Sequence, residues 1–288
     1  MKRMWFIPLF WVVLSSIILF FIFAQKFGQG NRRPYKVIQC SYNSPEDFEG
    51  FDNISGTPDG CFIVPNVVHF VRFGKPEFSF EEAVCVIAAA KNQKPEAIYF
   101  HMDIPKFQGK YWDVIQSSPF IKEVKIVYKR WKCHTMGNSI MIILMKYGGI
   151  YLGNQTYVIR PLDEFRRFEM ALGWELNGNV SSQIIVANRN ARFLREWSST
   201  HDDDSDNYEE VLSKRPELVH RVKRRLGERE VADMLYLEYR DDPWEDHYAI
   251  NLSPEATLPV VFNEDTIGKY LCNFQRMVYN VYPFKRGG

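Results

Sequence analysis

Apolar runs of strand length that alternate with helical patterns constrain the fold of this chain more than any other sequence feature. Residues 67–73 and 97–102 are two such runs, and the alanine-rich segment 80–91 between them has the composition of a helix. A third run, 122–128, alternates valine and isoleucine with lysine. This order predicts βαβ units and an α/β fold, with a mostly parallel sheet flanked by helices. Ligands bind such sheets at the carboxyl ends of the strands.

The middle of the chain continues this pattern. Residues 139–146 are almost wholly apolar, which predicts a buried helix rather than an amphipathic surface helix. Gly148 and Gly149 then allow the backbone to end a helix and turn into a strand. Shorter apolar segments predict three more strands and one more helix, at 150–152, 157–159, 184–187 and 191–197 respectively.

Two charged segments lie in the second half of the chain. Leu218, Val222 and Leu226 recur every four residues among basic side chains, which predicts an amphipathic basic helix. We interpret its basic face as a solvated surface, with lipid headgroups or a partner protein as the alternative. The acidic stretch 201–206 predicts a solvated loop, and a cation site there is the less favoured reading.

Length and charge limit the class of protein. The chain has 288 residues, of which 46% are hydrophobic and 15% aromatic, so it can bury a sizeable core. Lysine and arginine number 36 against 35 acidic residues, a formal net charge of +1. Because no strong overall field attracts a polyanion, we exclude nucleic-acid binding. One folded domain is the simplest organisation.

The N-terminal segment 4–24 carries no charge and would span about 30 Å as a helix, which matches the hydrocarbon core of a bilayer. A cleaved signal peptide is disfavoured because bulky residues 21–23 stand where a cleavage site needs small ones. We therefore predict a single-pass protein with a cytosolic tail at 1–3, a transmembrane signal anchor at 4–24, a stem at 25–60 and a lumenal domain at 61–288. Basic residues flank both sides of the anchor, so charge does not decide its orientation.

Glycosylation sequons and cysteines agree with a lumenal domain. Four asparagines stand in Asn-X-Ser/Thr sequons and are candidate glycosylation sites: Asn53, Asn154, Asn179 and Asn251. Of the five cysteines, Cys40 and Cys61 are the pair we expect to form a disulfide, although spacing alone does not fix connectivity. Cys85 lies in an apolar run and is predicted to be a packed free thiol.

The residues 147–152 (Tyr-Gly-Gly-Ile-Tyr-Leu), followed by 158–163 (Val-Ile-Arg-Pro-Leu-Asp), resemble the signature of the DXD-containing sugar transferases of glycosyltransferase family 32. Enzymes of this group are similar to the α-1,4-N-acetylglucosaminyl and α-1,4-galactosyl transferases of the Golgi. The resemblance implies a GT-A-like fold, a nucleotide-sugar donor and a type II Golgi membrane topology. Further blocks stand in the family's order at 65–70, 98–101, 108–112, 187–193 and 215–221.

The chain departs from the family where the family binds its metal. The two aspartates of the DXD motif hold a divalent cation against the donor diphosphate, and such ions need negatively charged oxygen ligands. Here the motif reads Gly153, Asn154 and Gln155, which supply no carboxylate. No metal site is therefore predicted, and Mn²⁺ is expected only if the family's activity is retained. Other family residues are also replaced: Gly137 stands for an aspartate, Ile140 and Ile142 for arginines, and Asn251 for a histidine.

Candidate site residues follow from the resemblance and from their position near strand ends. Asp103, which ends a predicted strand, and His134 are the candidate catalytic residues, with a turn before Pro105 as the structural role of Asp103. For His69 and His101 a hydrogen-bonded core histidine is the favoured interpretation, and His134 is read as structural without its family neighbours. The candidate donor-binding residues are His69, Tyr147, Gly148, Gly149, Asn154 and Gln155.

These observations predict a lumenal Golgi protein built like a glycosyltransferase but catalytically impaired, a pseudoenzyme that could pair with an active relative in a hetero-oligomer. The alternative is an active transferase that neutralises the diphosphate with protein cations or with a metal bound at Asp103. An architectural membrane protein without a ligand is the third hypothesis. A glycan at Asn154 would block the donor pocket, so occupancy there would argue against catalysis.

Overall fold

The computed structural model describes residues 40–129, 136–174, 180–200, 208–223, 225–227, 246–252 and 273–282. Within these ranges no helix has the length and apolar character needed to cross a bilayer. The predicted tail and anchor, the acidic stretch 201–206, His134 and Asn179 all lie outside the described residues.

Nine strands lie within the described residues: β1 (Val67–Arg72), β2 (Ala97–Met102), β3 (Val124–Tyr128), β4 (Gly149–Leu152), β5 (Thr156–Val158), β6 (Met170–Trp174), β7 (Val180–Ala187), β8 (His220–Lys223) and β9 (Ala249–Asn251). Seven of them form one sheet in the order β3-β2-β1-β4-β7-β6-β8. Only β7 runs antiparallel to its neighbours, so the predicted mostly parallel sheet is confirmed. Strands β5 and β9 pair separately.

The described helices are α1 (Phe80–Ala88), α2 (Lys110–Gln116), α3 (Met136–Tyr147), α4 (Arg192–Ser199), α5 (Tyr208–Lys214) and α6 (Asn273–Val281). Ser79 starts α1 with a capping box, in which its hydroxyl accepts from Glu82 N and the Glu82 carboxylate accepts from Ser79 N. One face of α1 packs on the central sheet through Ala83 and Val86. The opposite face packs against the β5–β9 pair and α6, which explains why α1 is apolar on both faces beyond its acidic first turn.

The other face of the central sheet is covered by α3, α4 and α5. Ile140, Ile143 and Leu144 of α3 share one core cluster with Tyr151 of β4 and Ile185 of β7. The buried helix predicted at 139–146 is therefore confirmed. It completes a layered α/β domain in which the inner strands of the central sheet are buried on both faces, whereas the edge strands β3 and β8 keep exposed residues.

The predicted basic helix at 218–226 is wrong. Residues His220–Lys223 form strand β8, which pairs in parallel with β6. Val222 is buried whereas Arg221 and Lys223 are exposed, which is the alternation of a strand with one covered face. Leu218 lies in a preceding 3-10 turn. Leu218 and Val222 thus belong to two separate elements, the 3-10 turn and β8, and their four-residue spacing does not come from one helix.

Residues 40–60, which the sequence assigned to the stem, pack against the domain. Phe48 is fully buried in the main core cluster. Its ring lies 5.1 Å from that of Tyr42 and 5.4 Å from that of Phe51. A disulfide joins Cys40 to Cys61, as predicted, and so ties this segment to the start of the strand region. The domain in the structure therefore begins before the predicted boundary at residue 61.

Candidate functional site

The Gly153–Gln155 turn, residues 153–155, leaves β4 at the carboxyl edge of the sheet. Gly153 N donates a hydrogen bond to the carbonyl of Gln183 at 2.7 Å, and Gly153 O accepts from Thr156 N at 3.0 Å. The carbonyl of Gln155 accepts from Leu252 N at 2.8 Å. Three backbone bonds therefore hold the turn between β7 and the β5–β9 pair. This is the edge at which ligands bind open α/β sheets.

Asn154, at the centre of the turn, is half-buried. Its Nδ2 donates to the carbonyl oxygen of Val71 in β1 at 3.0 Å. The amide thus bridges two neighbouring strands at the carboxyl edge, which is a structural use of the side chain. The same nitrogen would carry the glycan of the Asn154 sequon, and in the fold it is already engaged.

The turn does not fit a divalent cation. Mg²⁺, Mn²⁺ and Ca²⁺ are held by oxygen ligands that include carboxylates, and this turn offers a glycine and two neutral amides. Across the described part of the chain, no three His, Cys, Asp or Glu side chains lie together as a metal site requires. The residues present at the turn therefore do not match the metal that the family resemblance implies.

Asp103 lies at the same edge, in the loop after β2, and is exposed. Its Oδ1 accepts a hydrogen bond from Gly74 N at 2.8 Å, which ties together the loops that follow β1 and β2. This contact joins two distant loops and differs from the turn before Pro105 that the sequence predicts for Asp103. The carboxylate nevertheless remains accessible to a ligand at this edge.

A buried ion pair at the end of β1 was missed by the sequence analysis. Arg72 is 2% exposed, and its Nη1 lies 2.9 Å from Oε1 of Glu82 in α1. Nη2 donates to the carbonyl of Glu77 at 2.6 Å, and the guanidinium carbon lies 3.9 Å from the centre of the Phe78 ring. This cation is enclosed and neutralised, so it cannot face a donor phosphate in this conformation.

His69 and His101 form a buried hydrogen-bonded pair between the sheet and the end of α3. His69 Nδ1 lies 3.0 Å from His101 Nε2, and His69 Nε2 lies 2.7 Å from the carbonyl oxygen of Gly148. Because that carbonyl can only accept, His69 Nε2 carries the proton and His69 Nδ1 accepts from His101. The rings of Tyr99 and Tyr147 lie 5.2 and 5.8 Å from that of His69.

Burial keeps both histidines neutral. Desolvation lowers the pKa of His69 to about 4, opposed by its bond to Gly148. The pKa of His101 falls to about 3, chiefly through burial and then through the charges of His69 and Lys146. The favoured interpretation of these residues as core histidines agrees with this geometry. Neither ring is exposed to a donor in the fold.

Gly148 and Gly149 shape the backbone between α3 and β4. Their φ angles are +62° and +115°, which L side chains rarely adopt. A Cβ atom at Gly149 would lie 2.6 Å from the carbonyl oxygen of Val67 and 2.8 Å from His69 Nε2. These glycines therefore allow the close approach of β4 to β1. Tyr147, also a candidate donor-binding residue, is half-buried against the histidine pair.

Two candidate glycosylation sites are buried. Asn53 is 3% exposed, and its Nδ2 donates to Oε2 of Glu169 at 3.1 Å. Asn251 is 4% exposed within β9. A glycan needs a solvated asparagine, so the fold has no room for one at either residue. The candidate catalytic residue His134 and the sequon at Asn179 lie outside the described residues.

No protein-family model matches the chain. Over 165 residues its sequence is 27% identical to Glucan organizing enzyme 1 of Cryptococcus neoformans var. grubii serotype A, an alignment that covers 49% of this chain and 44% of that protein. The chain thus spans less than half of that relative's length.

Among solved structures, the chain is similar to the galactosyltransferase LgtC in complex with donor and acceptor sugar analogues. The TM-score is 0.42 and the sequence identity is 9%, and the alignment covers 76% of this chain and 98% of LgtC. The chain is also similar to the apo form of the glycosyltransferase GlyE from Streptococcus pneumoniae, with a TM-score of 0.44, 10% identity, and coverage of 77% and 66%. At these scores neither similarity assigns a function to the chain.

Proposed function

We propose that this chain is a glycosyltransferase-like protein with a GT-A-like fold that does not carry out cation-dependent sugar transfer. The observation that carries the proposal is the Gly153–Gln155 turn, which stands at the carboxyl edge of a mostly parallel sheet with a glycine and two amides where the family has carboxylates. Removing one charged or donor group at such a site costs about 3 kcal/mol of transition-state stabilisation. Here several such groups are replaced together.

The named relative supports a role in carbohydrate chemistry. Its name describes an enzyme that organises glucan, and the aligned region covers about half of this chain. Together with the sequence blocks quoted above, this favours a polysaccharide or another glycan as the class of molecule on which the protein acts. We place the protein in the Golgi membrane as a type II protein, with an active relative as its partner.

A metal-independent active transferase is the second candidate. The word enzyme in the name of the relative favours it, as does the exposed carboxylate of Asp103 at the same edge as the turn. This alternative predicts sugar transfer without added cation, lost when Asp103 is changed to asparagine.

The deciding experiment is isothermal titration calorimetry on the full chain in detergent, with UDP, UDP-glucose and UDP-N-acetylglucosamine, each with Mn²⁺ and with EDTA. The proposal expects no Mn²⁺-dependent binding of any of these ligands. Micromolar binding that requires Mn²⁺ would overturn it. Transfer to a glucan or glycolipid acceptor in EDTA, abolished by Asp103→Asn, would establish the second candidate instead.

Membrane topology and partnership are tested separately. Protease added to intact microsomes is expected to leave the domain protected and to remove only the N-terminal tail. Co-purification of the tagged full chain with an active glycosyltransferase from the same membranes would support the hetero-oligomer. Complete digestion of the domain would contradict the type II placement.

A further inference from the structure

Gly153 is not required by its own backbone conformation. Its φ does not fall in the left-handed region, in contrast to Gly148 and Gly149. Any L-residue could therefore adopt this backbone without strain at φ. The reason for a glycine here has to lie in what surrounds it.

The surroundings of Gly153 identify one side chain. A Cβ atom added at Gly153 would overlap Oε1 of Gln183, and it would lie 3.2 Å from both Gln183 Cδ and Thr156 Oγ1. The Gln183 backbone is fixed beside the turn, because its carbonyl accepts the hydrogen bond from Gly153 N and because β7 pairs with β4 from Ile184 onwards. The side-chain amide thus fills the space into which a side chain at residue 153 would project.

We infer that Gln183 is a second determinant, beside the missing carboxylates, that keeps a divalent cation out of the Gly153–Gln155 turn, because its amide occupies the space of a side chain at residue 153. This inference rests on the proposed function, because it treats the turn as the counterpart of a metal-binding motif. The neutral amide of Gln183, from β7, occupies the space that the carboxylate of an aspartate at residue 153 would enter. The residues at positions 153 and 183 therefore depend on each other. Carboxylates introduced at positions 153 and 155 do not create a cation site while Gln183 is present.

A double-mutant cycle tests the steric part without any ligand. Gly153→Ala is expected to lower the melting temperature of the full chain by about 3 °C, because the Gln183 side chain must leave its present position. In a Gln183→Ala background the same change is expected to have almost no effect. Ser182→Ala, next to Gln183 on the same strand, is the matched control and leaves the effect of Gly153→Ala unchanged. Equal effects of Gly153→Ala in both backgrounds would overturn the steric inference.

Manganese binding tests the specificity part. The double variant carries Gly153→Asp and Gln155→Asp, and the triple variant carries Gln183→Ala in addition. Electron paramagnetic resonance measures how much Mn²⁺ stays free in the presence of each full-length variant. The triple variant is expected to bind Mn²⁺ at least tenfold more tightly than the double variant, which binds no better than the unmodified chain. Equal binding by the double and triple variants, each shown to melt cooperatively, would overturn the inference.

Failure of the inference and failure of the proposed function give different results. If the unmodified chain binds UDP-glucose with Mn²⁺, the proposed function is wrong, whereas the cycle at Gly153 and Gln183 still decides the steric inference. If the unmodified chain binds no cation and the triple variant also binds none, the proposed function stands and the assignment of Gln183 fails.

Discussion

The two edges of the central sheet differ in how they use charge. At the amino edge, Glu169 is fully buried, and its carboxylate accepts from Arg192 Nη2 at 2.8 Å and from Asn53 Nδ2 at 3.1 Å. Glu169 N donates in turn to Asn53 Oδ1 at 3.1 Å. At the carboxyl edge, the Gly153–Gln155 turn carries no charge, and the buried Arg72 is paired with Glu82.

Charged groups thus stay in the interior of the domain where they hold elements together. The pairing of Glu169 joins the start of β6 to the start of α4 and to the 40–60 segment. At the carboxyl edge, where ligands bind open α/β sheets, the Gly153–Gln155 turn is neutral. The amino edge thus holds charge inside the fold, whereas at the carboxyl edge the turn is neutral and the carboxylate of Asp103 is exposed.

Removing the buried carboxylate of Glu169 at the amino edge should have a larger effect on stability than the other changes below. Glu169→Gln leaves the Arg192 guanidinium beside a neutral amide, and loss of one partner of a buried pair costs about 3 to 5 kcal/mol of the free energy of unfolding. Urea denaturation followed by circular dichroism measures it. Glu217→Gln, in the exposed pair with Arg215, is the control and should cost less than about 1 kcal/mol. Equal losses for the two variants would mean that the buried pair of Glu169 contributes no more to stability than an exposed pair.

The disulfide that holds the 40–60 segment to the amino edge gives the next effect. Cys40 and Cys61 close a short loop, with a sequence separation of 21, so reduction should lower the free energy of unfolding by about 3 kcal/mol. Denaturation with and without dithiothreitol measures this change. Cys85→Ser serves as a control for thiol chemistry, because Cys85 is a buried free thiol. An unchanged stability on reduction would mean that the segment is held by packing alone.

The sequence was sufficient for elements with strong local patterns. The apolar runs that became β1 and β2, and the mostly apolar helix α3, were predictable because burial leaves little choice of residue. The 40–60 segment was not, because its glycines, prolines and acidic residues are typical of a loop. Its attachment depends on a disulfide and on Phe48, which joins a core cluster built mainly from residues distant in sequence.

The candidate site was predictable only in part. The Gly153–Gln155 turn was located because it directly follows a strand, and its neutral character is visible in the residues themselves. Gln183 was missed, since a single glutamine within an apolar strand matches no motif and reaches Gly153 only through the pairing of β4 with β7. The Arg72–Glu82 pair was missed for the same reason: it joins the end of a strand to the start of a helix.

The buried pair of His69 and His101 should make the free energy of unfolding depend on pH. The folded pKa values of His69 and His101 are about 4 and about 3, below the ordinary value of 6.5, so the unfolded chain binds protons first as pH falls. The stabilising contribution is therefore complete well above pH 6.5 and is lost as pH falls toward 4. Between pH 7 and pH 5.5 we expect a loss of about 2 kcal/mol.

Urea denaturation at a series of pH values measures this dependence. His101→Asn should make the pH dependence shallower, because His101 then no longer titrates, while His69 and His220, whose pKa values burial also lowers, still do. If the slope is unchanged in that variant, the histidines are not the cause, and they would again be open to a role at the ligand edge.

The hydrogen bond from Asn154 to β1 probes the neutral turn at the carboxyl edge itself. Asn154→Ala removes the hydrogen bond to the Val71 carbonyl and should cost about 1 kcal/mol of the free energy of unfolding. Asn154→Asp should cost more, because a carboxylate cannot donate to that carbonyl and instead repels it. Mn²⁺ should not restore the lost stability of Asn154→Asp, since a single carboxylate on this turn lacks charged partners. If millimolar Mn²⁺ raises the free energy of unfolding of Asn154→Asp but not that of Asn154→Ala, the carboxyl edge still holds ligands for a cation. The two edges would then not differ in their use of charge.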